Sequence, residues 1–212
     1  MPEFIDISRP LSTSTAPWPG DTPFNFGLSV RREAGFGINV GAFTASTHFG
    51  THLDAPFHFT DTTETIDQLD LSVCYGDALL VDVRGHSLIG PELLPDILPR
   101  RVLLRTDSWL SSAEFPASIP ILSLETIRKL AEQNVVLLGV DVPSVDQLDS
   151  KDLPTHHVIY QAGITILESL FLAKVTPGNY LLAAFPLLIS GGDAAPARAV
   201  LIKQEPKKST AD

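Results

Sequence analysis

Apolar residues along this chain gather in short runs, not in long amphipathic stretches. The runs FIDIS, INVGAFTAS, ALLVDV, RVLLRT, VVLLGVDV, ITILE, NYLLAAF and ARAVLI are rich in Val, Ile and Leu, and most are bounded by Gly, Pro, Asn or Asp. Runs of this length with such boundaries predict β-strands. Helical periodicity is rarer. In LETIRKLAEQN the apolar Leu124, Ile127 and Leu130 recur at helical spacing, Ser123 can cap the first turn, and Glu125 lies within that turn. A second helix is predicted from Pro154, which suits a first helical turn, over THHVIYQA up to Gly163. Strands outnumber helices, so the expected class is α+β: mixed sheets with a few packed helices. No repeat or shift of composition divides the chain. A single domain is expected over residues 1–202, and the polar tail KQEPKKSTAD over residues 203–212 is expected to fray.

Composition narrows the function classes. The 212 residues, 44% apolar and 19% charged, can build one packed core. A formal charge of -10 offers nothing to a phosphate backbone, so nucleic acid is not an expected partner. Nor is a membrane: the longest apolar run, Tyr180 to Ile189 through Pro186, is too short to cross one, and MPEFIDISRP lacks a basic start and a long apolar core. A soluble cytoplasmic protein is expected. Cys74 is the single cysteine, so an intrachain disulfide is impossible and any metal site must draw on His, Asp and Glu.

Those residues are unevenly placed. The stretch STHFGTHLDAPFHF holds His48, His52 and His58, three of the six histidines, together with Asp54. Gly50 and Pro56 oppose a continuous helix, and Pro56 pushes Ala55 towards an extended conformation. In an extended segment His52 and Asp54 project from one side, and a bend at Gly50 can bring His48 round to them. Imidazoles converging with a carboxylate suit zinc or a similar divalent ion. A lone loop histidine is more often a turn or surface residue, but loops use Ser, Asn and Gly far more readily than three histidines in succession. A second cluster, DLPTHHVIYQAGITILESL, holds His156 and His157, and Glu168 closes the apolar run ITIL. A buried Glu is costly unless it is paired or bound to metal, although a strand-end Glu can also reach water. His86, in RGHS, reads as surface.

The pattern H-x-G-T-H-x-D-x-P-x-H, met as His48, Gly50, Thr51, His52, Asp54, Pro56 and His58, resembles the signature of the metal-dependent cyclase family. The likeness runs over nearly the whole chain: PWPGDTPF, the histidine motif, RVLLRT, GVDVPSVDQLDSKDLPTHH, ILESL, PGNYLLAAFPL and DAAPARAVLI. The LDSK-x-LP-x-HH segment and the early tryptophan point to its kynurenine formamidase branch. Phe49 departs from the pattern, because many members carry a small polar residue there. The resemblance implies a two-zinc centre, with manganese as an alternative metal. His48, His52 and Asp54 would hold the first ion and His156 the second, while Asp54 and Glu168 would bridge both. It also implies an acid/base role for His58, a substrate contact at Trp18, a swivelling β/β/α fold and a homodimer. The implied reaction is hydrolysis of an aryl formamide, N-formyl-L-kynurenine, to L-kynurenine and formate.

Physical chemistry is consistent with such a centre. Two close divalent ions need the compensation that two bridging carboxylates supply, and paired ions about 3.5–4 Å apart lower the pKa of a shared water towards roughly 7. Expulsion of an amine needs a proton on nitrogen, a task for a histidine titrating near neutrality. Four other readings are set aside or left open. Trp18, stiffened by flanking prolines, can stack on an aryl group or simply pack in the core. Asp141, Asp146, Asp149 and Asp152 lack calcium-loop spacing and read as turn and cap residues. Ser144 lacks a glycine-flanked nucleophile elbow, and His157 can be an outer-shell or helix-surface residue. Hydrolysis of another amide or a cyclic amide such as isatin, and metal-dependent binding without catalysis, are the competing functions.

Overall fold

The computed structural model describes residues 2–203. Twelve strands and two α-helices occur among them. They run in the order β1 (Glu3–Asp6), β2 (Asn25–Val30), β3 (Val40–Thr44), β4 (His52–Asp54), β5 (Tyr75–Asp82), β6 (Leu88–Ile89), β7 (Arg101–Arg105), β8 (Ile121–Leu122), α1 (Leu124–Glu132), β9 (Leu137–Val140), α2 (Pro154–Gln161), β10 (Thr165–Glu168), β11 (Gly178–Pro186) and β12 (Ala194–Lys203). This is the expected mixture of sheets with few helices.

The main sheet has the order β1-β12-β11-β5-β7-β9-β10-β4, and β4 pairs again with β12. Seven strands therefore close on themselves. Closure is possible because the two halves of β12 serve different neighbours on one edge: Ala194–Pro196 pair with β4, and Val200–Lys203 with β1. Strands β5, β7, β9 and β10 are parallel, and the remaining pairs in this sheet are antiparallel. Side chains alternate between two cores, as a period of two requires. Leu103 packs inside with Leu53, Leu80, Leu137, Leu167, Leu182 and Leu201. Its neighbours Val102 and Leu104 face the other way and meet Ile127, Leu130 and Ile159 of the helices.

Ser123 caps α1 as expected, its Oγ accepting from the Thr126 amide at 3.1 Å, a contact worth about 1 kcal/mol. Leu124 does not join Ile127 and Leu130 in the core; it is exposed, while Thr126 and Ile127 of the same turn are buried. Residues 204–212 of the expected tail lie outside the described residues. Lys203, where that tail was expected to begin, instead ends β12, and its Nζ donates to Glu3 Oε2 at 3.2 Å. No helix among the described residues is long and apolar enough to cross a membrane.

Candidate metal centre

Register assembles the centre. Strand β4 is only three residues long and wholly buried: Leu53 points into the inner core while His52 and Asp54 share the opposite face. Glu168 lies directly across from His52 in the β10–β4 pair, so its carboxylate emerges on that same face. His48 arrives by the bend at Gly50, whose φ of 71° is left-handed. A β-carbon at Gly50 would also come within 2.8 Å of Leu11. His156 comes from the first turn of α2, which Pro154 opens.

Asp54 is at the middle. Its Oδ1 is 3.2 Å from His48 Nδ1 and 3.3 Å from His52 Nε2, while Oδ2 is 3.6 Å from His156 Nε2. Glu168 repeats this division: Oε2 is 3.6 Å from His52 Nε2, and Oε1 is 3.6 Å from His156 Nε2. Both carboxylates thus turn one oxygen towards His52 and the other towards His156. None of these approaches has hydrogen-bond geometry, and both Asp54 oxygens and His52 Nε2 are buried without a hydrogen-bond partner. Buried polar atoms of this kind need a partner. A divalent cation fits: the donors are imidazole nitrogen and carboxylate oxygen, grouped as His48, His52 and Asp54 on one side and Asp54, His156 and Glu168 on the other.

Outer contacts fix which nitrogen of each ring faces inwards. His52 Nδ1 lies 2.9 Å from the Gly50 carbonyl, His156 Nδ1 2.7 Å from Asp146 Oδ2, and His48 Nε2 3.2 Å from Asp193 Oδ2. Each ring therefore has its other nitrogen directed at the carboxylates, as metal-ligating histidines ordinarily do. Asp146 also accepts the Thr155 and His156 amides, so the cap of α2 and the orientation of His156 are one device. Sequence reading had Asp146 only as a turn or cap residue. Asp193 was missed altogether, since it is 145 residues from His48 in the chain; its Oδ1 accepts from Thr47 Oγ1 at 2.8 Å.

Electrostatics follow the geometry. Burial would raise the Asp54 carboxyl, but the surrounding imidazoles hold it well below the usual carboxylate range. Burial and the Asp54 charge push Glu168 well above that range, as expected for two carboxylates sharing a site. Burial alone would lower His48 and His156, yet Asp193 and Asp54 raise the first to about 10, and Asp146, Asp54 and Glu168 raise the second to about 10. Without metal, His48 and His156 are thus protonated at neutral pH. Ligation requires neutral imidazole and ionised carboxylate. Zinc added to metal-free protein at pH 7 is accordingly expected to release protons from His48 and His156, and apparent affinity should rise with pH. Titration in two buffers of different ionisation enthalpy measures this, and zinc uptake with no proton release would contradict it.

The centre is the floor of a cavity of about 280 Å³. Trp18, Phe49, Trp109 and Phe115 contribute to its wall, and His58 lies in the lining with part of its side chain exposed. Trp18 is held edge-on to Phe115 with centroids 5.2 Å apart. Phe49 is buried, packs on Phe24 with ring centroids 5.9 Å apart, and also lines this cavity. The His58 ring is 4.0 Å from that of His48, its Nδ1 is 3.9 Å from Asp193 Oδ2, and burial with the His48 charge lowers it to about 4. Ser144 also lines the cavity, and its Oγ accepts from the Asp146 amide, with no hydrogen bond to a histidine or carboxylate among the described residues. His157 faces away, edge-on to Phe59 at 5.7 Å.

Comparison with known proteins agrees with this geometry. The cyclase family model matches residues 5–147. A kynurenine formamidase from Bacillus cereus is 45% identical over 202 residues, 94% of this chain and 97% of that protein. Its counterpart from Bacillus anthracis is 43% identical with the same coverage. A solved structure described as a potential metal-dependent hydrolase with cyclase activity superposes with a TM-score of 0.79 at 26% identity, covering 97% of this chain and all of the other. Isatin hydrolase A from Ralstonia solanacearum shares the fold, with a TM-score of 0.81 at 22% identity over 96% of this chain and 92% of its own. With the family signature on one face of β4 and nearly the whole length matched, this chain belongs to the cyclase family, alongside the kynurenine formamidases of Bacillus.

Proposed function

We propose that the protein is a metal-dependent arylformamidase that converts N-formyl-L-kynurenine to L-kynurenine and formate. One observation carries this reading: two buried carboxylates, Asp54 and Glu168, each divide their oxygens between two imidazole groups, and Glu168 lines an aromatic-walled cavity together with His48, His52 and His156. His48, His52 and Asp54 would hold one zinc ion and His156 the other, with Asp54 and Glu168 shared. When bound, such a pair activates water near neutral pH and stabilises negative charge on a carbonyl oxygen. The chain's own residues do the rest. His58 takes the proton that water gives up, then delivers it to the aryl nitrogen as the carbon–nitrogen bond breaks. With Nδ1 turned to Asp193, Nε2 is the nitrogen that exchanges protons with the substrate. The aromatic wall excludes water and takes the aryl ring. A swivelling β/β/α arrangement, a homodimer and a cytoplasmic location belong to the same reading, on the strength of the family likeness.

Trp18→Ala should raise KM about 2- to 10-fold, the worth of one aromatic contact, and leave metal content unchanged. An unaltered KM would make Trp18 a packing residue. Turnover of N-formyl-L-kynurenine against isatin by purified protein tests the reading itself. Preference for the formamide supports it; cleavage of isatin alone would assign the cyclic amide, and cleavage of neither would leave a metal-dependent binding protein.

A further inference from the structure

Beyond its formamide and ring, the proposed substrate carries an ammonium and a carboxylate on one carbon. The cavity treats these two charges differently. No Lys or Arg stands among the residues of its wall, and the carboxylates there are Glu168, of the metal centre, and Asp21. Asp21 is exposed and set by a turn in which its amide donates to the Trp18 carbonyl at 3.0 Å, through Gly20 with a φ of 88°. Pro17 and Pro19 flank Trp18, so this segment is stiff on both sides of the ring. Asp21 Oδ1 accepts from the Thr22 amide at 2.6 Å, while Oδ2 has no partner among the described residues.

One short turn therefore places a carboxylate with an unpartnered oxygen and an indole ring in the wall of the same cavity. A carboxylate attracts an ammonium by a charge-assisted hydrogen bond, and an indole face attracts it through the ring quadrupole. We infer that Asp21, with Trp18, forms a subsite for the cationic amine of the substrate, and that the substrate carboxylate is left to solvent. The inference rests on the arylformamidase reading. It makes the enzyme selective for aryl formamides with a positively charged amine, against those with a neutral or anionic end.

The test uses zinc-loaded wild type and Asp21→Asn with four substrates: N-formyl-L-kynurenine, its decarboxylated analogue, its deaminated analogue and formanilide. In wild type the decarboxylated compound should match the parent within about 3-fold in kcat/KM, and the deaminated one should fall roughly 3- to 10-fold through KM, the size of an ion pair at a partly solvated rim. In Asp21→Asn the ratio of kcat/KM for the parent over the deaminated compound should collapse towards one. An unchanged ratio in the variant, or a wild type that loses more from removing the carboxylate than from removing the amine, would overturn the inference while leaving formamide hydrolysis intact. Failure of wild type to cleave any of the four, formanilide included, would instead remove the arylformamidase reading and the subsite with it.

Discussion

Replacing Asp54 with alanine is expected to empty both metal positions together and to abolish turnover. Its two oxygens are divided between the imidazole pair His48 and His52 on one side and His156 on the other. With Asp54 gone, only Glu168 would remain to compensate two divalent charges among three imidazoles in a buried pocket. Such a cluster repels cations. The loss should far exceed the roughly 10- to 100-fold in metal affinity that removal of an outer-shell partner costs. Stability supplies a second readout: zinc should raise the Tm of wild type, because a ligand that binds only the folded state stabilises it, and should leave that of Asp54→Ala unmoved. Glu168→Ala should behave in the same way. One ion retained at full occupancy in either variant would show that the carboxylate is a terminal ligand and not a shared one.

His58→Ala should separate catalysis from metal binding. The variant is expected to keep its zinc and fold but to lose about 10²- to 10⁴-fold in turnover, the usual worth of a positioned proton-transfer group. His58 stands outside both groups that contain Asp54, although its ring, with His48 and Asp193, forms a third cluster that could hold a cation. Zinc content and kcat measured on one preparation distinguish the alternatives. Loss of zinc would make His58 a ligand; full zinc with near-normal turnover across pH would refute its acid/base role. The limb of the rate profile that belongs to His58 should also vanish in the variant.

The centre was legible in the sequence where its geometry is local. His52 and Asp54 share a face because strands have a period of two, and Gly50 takes the left-handed turn that brings His48 round. Most strands announced themselves by apolar runs, since a sheet core between inner side chains and helices needs Val, Ile and Leu on both faces. What escaped depends on distant pairing. Nothing near Asp193 in the chain indicates that β12 will lie beside β4 and set its carboxylate on His48. Asp146 looked like a cap, and it is one; its second task appears only when α2 delivers His156 to the same oxygen. Strand β2 escaped for another reason. NFGLSV does alternate, with Phe26, Leu28 and Val30 at every second position, but the alternation is broken by Gly27 and forms no continuous apolar run of the kind that marks the sheet-core strands.

Formate release from N-formyl-L-kynurenine, followed as zinc is returned stepwise to chelator-stripped protein, tests the central claim most directly. The account predicts almost no turnover in the stripped protein and recovery that saturates at about two zinc ions per chain, the stoichiometry of a shared-carboxylate centre. Undiminished formate release from protein shown by elemental analysis to hold no divalent metal would contradict it.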